Sequence, residues 1–415
     1  YSLFSLLFFS VAIATSADLP VLAVAGVITG LNLFIKIPSG VLLAKGEDVS
    51  ALTSYSGKHL NRLLLTMVNT LSAAQDFTMM LSIKNKLRIG KLDVSNGIRP
   101  FSSEEEFGTG DLVYTDRFLE VEPFKREIQI DIESYRQTYL SEFISAGSAA
   151  TKDKRSQIPF AQFTMEAILK KVAAELNNNT VYNGFDGSTT SAWASGSTYS
   201  VGDRVTFTQS SRKEWFECVT ATAAAESPDT HAAKWKKVTA QAIVKGINTI
   251  IGEEITASKI SPVAIGAITT KTEALEGNIE LFRSMDQPYQ DGGVVINQSY
   301  TDFNLLLDAI DDTAKYVEYD KTTRQVKHII VPRTNNKCVA KPGTWITGRR
   351  LIAGPSRIEG SNVRNMALLF GTDLVSDMNQ IEFDTSHLWL LEMGLKALAG
   401  FQIANVDEIA VSDQA

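Results

Sequence analysis

Residues 158–184 read IPFAQFTMEAILKKVAAELNNNTVYNG, the best-defined helical stretch of the chain. Pro159 suits a first helical position, where its missing N–H leaves nothing unpaired. Met165, Ile168, Leu169, Val172 and Leu176 recur at three- and four-residue steps, so one apolar stripe runs along a helix of about five turns. The short polar side chains of Asn177-Asn178-Asn179-Thr180 compete for the backbone and are expected to end it. A stripe on one side means that the helix lies on another layer.

Working outward, the N-terminal residues 1–35 carry one charge, Asp18. Each half of this apolar stretch is about seventeen residues, at or under the length of a membrane crossing, and no basic segment precedes it. A membrane-active hairpin, an apolar arm buried against neighbouring subunits and an export signal are all compatible with it. A chain that opens on Tyr1 reads as a fragment or processed form, so targeting stays open.

From Leu43 to Leu87 the pattern is helical, with Leu60, Leu64, Met67, Val68 and Leu71 as its stripe. LRIGKLDV (87–94) and Leu112–Ile132 then alternate apolar and charged residues, with a break near Pro123. This predicts an antiparallel ribbon wet on both faces, which is marginal alone and needs something to lie on.

Residues 188–238 change character. Gly, Ser, Thr and Ala dominate, and Trp193, Trp215 and Trp235 supply three of the five tryptophans. Short strands between Gly-Asp and Ser-Pro turns predict a small all-β module inserted in a loop. From Gln241 the chain returns to mixed α/β. Thr270 with Glu273 forms a capping box before a helix expected to end near Pro288, and Ser299 with Asp302 reads as a second. Residues 292–298, HIIVP (328–332), TWITG (344–348) and MALLFG (366–371) read as strands, and the apolar run 388–404 as interior.

The 415 residues and ordinary composition describe a globular chain of two or three domains, and the net charge of −7 argues against a nucleic-acid-coating surface. Cys218 and Cys338 have no metal or redox spacing and read as buried free thiols in a reducing compartment. No phosphate-binding loop, metal motif or nucleophile elbow occurs. GTGD (108–111) is a turn, and His59, His231, His328 and His387 are isolated. The acidic pairs at 104–106, 253–254 and 311–312 read as solvated. The sequons at Asn178 and Asn297 read as chance, and the basic clusters at 152–155 and Arg349-Arg350 as solvated loops or interface partners, with contact to a nucleic-acid backbone as the other reading. No catalytic, metal or cofactor-binding residue is assigned.

The order of parts resembles the tailed-phage major capsid protein family, of the Hong Kong 97 type. Three stretches carry the likeness: residues 110–142 leading into the 158–177 helix, GGVVINQSYTDFNLLLDAI (292–310) and NVRNMALLFGTDLVSDMNQIEF (362–383). It implies an α+β fold with an apolar N-terminal arm (1–46), helix and extended-loop ribbon (47–156), spine helix (157–187), inserted β module (188–238) and a peripheral and axial α/β part (239–415). The implied function is assembly into an icosahedral shell of hexamers and pentamers around packaged double-stranded DNA, with portal and decoration proteins as further partners and no cofactor. The insertion itself resembles chitin-binding carbohydrate-binding modules through Trp193, Tyr199, Gly202, Asp203, Val205 and Trp235. That likeness implies a core of Trp193, Tyr199 and Trp235, with Trp215 and Phe216 as candidates to stack on a host glycan. A membrane-anchored carbohydrate-binding or adhesion protein is the alternative, and a polysaccharide hydrolase a weaker one, since no opposed carboxylate pair can be named.

Overall fold

The computed structural model describes residues 71–94, 112–131, 160–310, 316–319, 326–359, 362–373, 380–387 and 390–414. The apolar segment 1–35, the Leu60–Val68 stripe, the GTGD turn, the acidic run 104–106, Asp311-Asp312 and the basic cluster 152–155 lie outside the described residues.

The first described element is a single helical turn, α1 (Ala73–Asp76), followed by β1 (Phe77–Met80), β2 (Lys86–Val94), β3 (Leu112–Glu120) and β4 (Glu122–Asp131). From Phe77 onward the helical pattern expected through Leu87 is therefore replaced by β1, a short link and the start of β2. Phe77 is fully buried, and β1 runs parallel to β13 (Asn362–Gly371), so sheet pairing overrides the local periodicity. Next come α2 (Phe160–Glu175), a π-helical turn (Leu176–Thr180), and β5 (Arg204–Gln209), β6 (Arg212–Cys218) and β7 (Trp235–Lys237) of the insertion. The remaining helices are α3 (Ile247–Thr256), α4 (Lys271–Arg283), α5 (Gln287–Gly292) and α6 (Tyr300–Ala309), interleaved with β8 (Val294–Gln298). β9 (Val317–Tyr319), β10 (Val326–Ile330), β11 (Cys338–Pro342), β12 (Ile352–Glu359), β13, β14 (Gln380–His387), β15 (Leu390–Ile403) and β16 (Ala410–Val411) complete the order.

An 11-stranded mixed sheet organises these elements as β14-β15-β13-β12-β8-β11-β10-β9, with β1 beside β13, β16 beside β12 and β4 beside β15. The fold is thus α+β. Strand β8 is buried along its whole length, as a strand between β11 and β12 should be. Helices α4 and α6 bury Ile279, Phe282, Phe303 and Leu306 in one cluster with Val294, Ile296, Ile329 and Ala340. No helix among the described residues is long and apolar enough to cross a membrane.

Helix α2 buries Ile168, Leu169 and Val172 and the turn after it buries Leu176, four of the five residues of the expected stripe; the fifth, Met165, lies outside the residues whose side chains are described. The asparagines end its α-helical part but do not release the chain: the backbone widens into a π turn, with Val181 N–H donating to Leu176 O. That turn aims Asn177 inward, where its Oδ1 accepts from Ser72 Oγ at 2.9 Å and its Nδ2 donates to Thr344 Oγ1 at 3.1 Å.

Three other expectations change. Residues 112–132 do not pair with each other: β3 pairs with β2, while β4 pairs with β15 in the large sheet. The chain switches partner at Val121, buried with Leu119, and Pro123 sits inside β4 opposite Leu398 near the strand start, where its missing donor is tolerated. Helix α4 ends at Arg283, five residues before Pro288, which instead opens α5. TWITG is a turn around fully buried Trp345. Asn297, a sequon residue, is fully buried in β8 and accepts a hydrogen bond from Asn365.

Candidate functional site

Two surfaces merit description: the β2–β3 ribbon and the insertion. In the ribbon, Lys86 pairs with Glu120, Arg88 with Phe118, Gly90 with Asp116, Leu92 with Tyr114 and Val94 with Leu112. Because side chains alternate, these residues share one face and Leu87, Ile89, Lys91, Arg117 and Leu119 share the other. The second face lies on the subunit near the ribbon's base, while Val113 toward its tip is 48% exposed. Leu87 and Ile89 pack against Ile83, Leu119, Val121, Leu369 and Leu398, and Lys91 pairs with Asp407. Arg117 bonds Glu254 at 2.7 Å and Gln402 at 3.1 Å. Burial pushes the Glu254 carboxyl up, but Arg117 and Lys259 outweigh it and hold it below the ordinary range.

The first face points away and is apolar toward the ribbon's end. Leu92 (59% exposed), Val94 (59%), Leu112 (66%), Tyr114 (55%) and Phe118 (40%) stand in a row. The ribbon is therefore not evenly wet: near its base one face lies on its own subunit, toward its tip both faces are open, and the first face presents most of the large apolar side chains to solvent. Arg88 and Asp116 pair at 2.5 Å, and the Arg88 charge holds Asp116 below the ordinary carboxylate range. The Arg88 guanidinium lies 5.1 Å over the Tyr114 ring, and Lys86 lies 4.0 Å over Phe118. Gly90 makes room for Tyr114, whose hydroxyl sits 2.0 Å from where a Cβ would stand. The signal for this face was present in the alternation of 86–94 against 112–120, but reading it requires the pairing register.

The insertion holds a separate three-stranded sheet, β5-β6-β7. Val205, Phe216, Cys218 and Trp235 form its buried cluster, with Trp193, Tyr199 and Phe207 packed against them. Tyr199 meets Trp235 edge-on at 5.3 Å, and Trp193 meets Phe207 at 5.8 Å. Phe216 is thus corrected from a sugar-stacking candidate to a core residue, because at 5% exposure it has no face to offer. Trp215 is half-buried and faces the neck, its Nε1 donating to Gly187 O at 3.0 Å. Beside it, Arg204 lies 4.3 Å over the buried Phe185 ring. Both side chains clasp the module to the body. Among the insertion's large apolar residues only Val201 and Val219 are exposed, and neither can stack on a pyranose.

The Arg349-Arg350 cluster is tied into its own subunit: Arg350 is buried, and Arg349, 42% exposed at its side chain, is held by internal partners. Arg349 donates to Asp302 at 2.7 Å and to Ile268 O at 2.6 Å; Arg350 donates to Asn248 at 2.7 Å and to Gln414 O at 3.0 Å. This also alters the second capping box. Ser299 Oγ accepts from Asp302 N, but the Asp302 carboxylate accepts from Ser299 Oγ and Arg349 in place of the cap N–H.

A buried ion pair was not legible at all. Lys341 Nζ lies 2.5 Å from Asp76 Oδ1, and Trp345 Nε1 donates to Asp76 Oδ2 at 2.7 Å. Phe77 packs edge-on to Trp345 at 4.8 Å. Burial pushes the Asp76 carboxyl up against the pull of Lys341. Cys218 and Cys338 are free and buried, and burial pushes both thiols up. Of the four histidines, His231 is exposed and bonded to Thr230, His328 is buried against Glu318, His387 ends β14, and His59 lies outside the described residues. Among the described residues no group of three His, Cys, Asp or Glu is placed to hold a metal.

No protein-family model matches the chain, and no curated protein matches it. Solved structures do. A chain of the satellite phage P4 procapsid, which includes the size determination protein, aligns at 10% identity over 89% of this chain and 97% of its own, with a TM-score of 0.42. A chain from the capsid of an empty GTA particle aligns at 8% identity over 83% of this chain and 96% of its own, with a TM-score of 0.40. A virus-like particle from Pyrococcus furiosus aligns at 10% identity over 86% and 98%, with a TM-score of 0.38.

Proposed function

We propose that the chain is a structural subunit that assembles with copies of itself into a closed icosahedral capsid, of hexamers and pentamers, around packaged phage DNA. The outward face of the β2–β3 ribbon carries this reading. Leu92, Val94, Leu112, Tyr114 and Phe118 together expose an apolar row on a two-stranded element whose other face is occupied only near its base, by Leu87, Ile89 and Leu119, and exposes Val113 nearer the tip. Fully burying each such side chain is worth about 1.5–3 kcal/mol, so the row is a liability for a monomer and a large gain for an assembly. Repeated contacts between identical copies around a closed symmetry bury such a row on every subunit. The likeness of residues 110–142, 292–310 and 362–383 to the capsid family points the same way.

In this reading the insertion is displayed on the shell surface, joined through its neck, and catalyses nothing. The alternative, a membrane-anchored carbohydrate-binding protein, needs an exposed aromatic platform. The insertion's aromatics face its core or its neck, which speaks against it.

The test is a paired substitution on the ribbon, Leu112→Lys with Tyr114→Glu, followed by sizing of the purified chain. The proposal expects folded subunits or small oligomers in place of large particles. Particles of unchanged size would count against it.

A further inference from the structure

The large sheet ends in the β9–β10 hairpin, and a row of ionisable groups crosses the sheet there. Ile329 pairs with Ala340 and Ile330 with Val339, so His328 lies opposite Lys341 on the neighbouring strand. His328 also pairs with Glu318 on the edge strand β9. The core side of this sheet is taken by Ile329 and Ala340, both fully buried, so His328 and Lys341 share the opposite face.

The groups around the imidazole can be named on every packed element. On β9, Glu318 Oε2 lies 2.9 Å from His328 Nε2, but the Glu318 side chain is 54% exposed while that of His328 is 7% exposed. On β11, the Lys341 ammonium is buried and held by Asp76 of α1 at 2.5 Å, with further bonds to Val363 O at 3.2 Å and Gln75 O at 3.4 Å. Lys327 adjoins His328 on its own strand and adds positive charge, and Arg364 of β13 acts on Asp76.

We infer that the β9–β10 hairpin is an acid-sensitive edge of the subunit, in which protonation of His328 places a second cation beside the buried Lys341 and loosens the edge strand. Water screens the exposed Glu318 carboxylate, whereas the desolvation cost of charging the buried imidazole is not screened, and Lys341, although paired with Asp76, adds to it. In agreement, burial first, and then Lys327 and Lys341, hold the imidazole below its ordinary value of 6.5 despite the raising effect of Glu318. Above pH 6.5 both the folded and unfolded imidazoles are neutral and nothing is lost. As pH falls below 6.5 the unfolded or opened segment takes the proton first, so stability drops until the folded imidazole also titrates. Asp76 works in the opposite sense, since its raised carboxyl gains a proton more readily when folded than when unfolded. A His328 variant separates the two.

The experiment is amide hydrogen exchange of the full chain at pH 7.5 and 5.5, corrected for the intrinsic pH dependence of exchange and read on residues 316–319 and 326–330. The inference predicts faster exchange of this hairpin at pH 5.5, by up to about tenfold per pH unit below 6.5, with His328→Gln showing no such change. Equal acceleration in wild type and H328Q, or no acceleration in wild type, overturns it. Glu318→Gln, at a half-exposed position that tolerates change, supplies the second arm: loss of the counter-charge is predicted to enlarge the acid response. An acid response abolished by E318Q would overturn the inference, because the response would then be the breaking of the His328–Glu318 bond.

Discussion

Gly246 N–H donates to Gly184 O at 2.8 Å, so the two chain segments entering and leaving the insertion meet backbone to backbone. Neither glycine has room for a side chain. A Cβ on Gly184 would stand 2.3 Å from Val244 O, and one on Gly246 would stand 2.5 Å from Tyr182 O. Gly184→Ala or Gly246→Ala is expected to cost about 1–3 kcal/mol, because backbone atoms have to move. Thermal unfolding checks this, with Gly196→Ala, which meets nothing within 4 Å, as the control.

The same contact makes the insertion separable. Phe185 N–H donates to Gln241 O at 2.9 Å, so the chain ends left by removing the module already lie side by side. Replacing residues 188–238 by a short Gly-Ser link is expected to leave a folded chain that still assembles into particles of wild-type size. Particle sizing and circular dichroism of the excised chain check it; an insoluble product would show the module to be part of the main fold.

Lys341→Met leaves the buried Asp76 carboxylate without its partner and is expected to destabilise by about 3–5 kcal/mol. Asp76→Leu combined with Lys341→Met removes both charges and is expected to recover most of the loss, since an apolar pair of similar volume replaces a costly desolvated one. Chemical denaturation of the single and double variants measures the coupling.

The first turn of α4 has its own pH dependence. Glu273 accepts from Thr269 N and Thr270 N, which lowers its carboxyl from 4.5 to about 2. A depressed carboxyl contributes stability that is fully present above pH 4.5 and is lost as pH falls toward 2. Glu273→Gln is therefore expected to lower the unfolding midpoint at pH 7 and to leave it nearer wild type at pH 2.5, as read by thermal melts at the two values.

Local patterns were legible in the sequence where a short stretch satisfies itself. The α2 stripe, the Thr270–Glu273 capping box and buried β8 follow from spacing within a few residues. What could not be read was the choice of distant partner. Nothing near Glu122–Asp131 says that it joins β15 while Leu112–Glu120 stays with β2. Arg349-Arg350 has the composition of a solvated loop until Asp302 and Asn248 are brought against it. Phe216 and Trp215 are adjacent, yet strand alternation sends one into the module core and the other to the neck. The exposed ribbon face was legible only in half, since alternation separates the two faces but does not say which one the subunit covers.

The proposed function requires copies of this chain to bury one another's ribbon faces. Sedimentation of the purified wild-type chain, with negative-stain images of the same fractions, tests it most directly. Large closed particles or their capsomers are expected, with Leu112 and Tyr114 protected from solvent in the assembled fraction. A stable monomer at all concentrations, with the ribbon face still exposed, would contradict it.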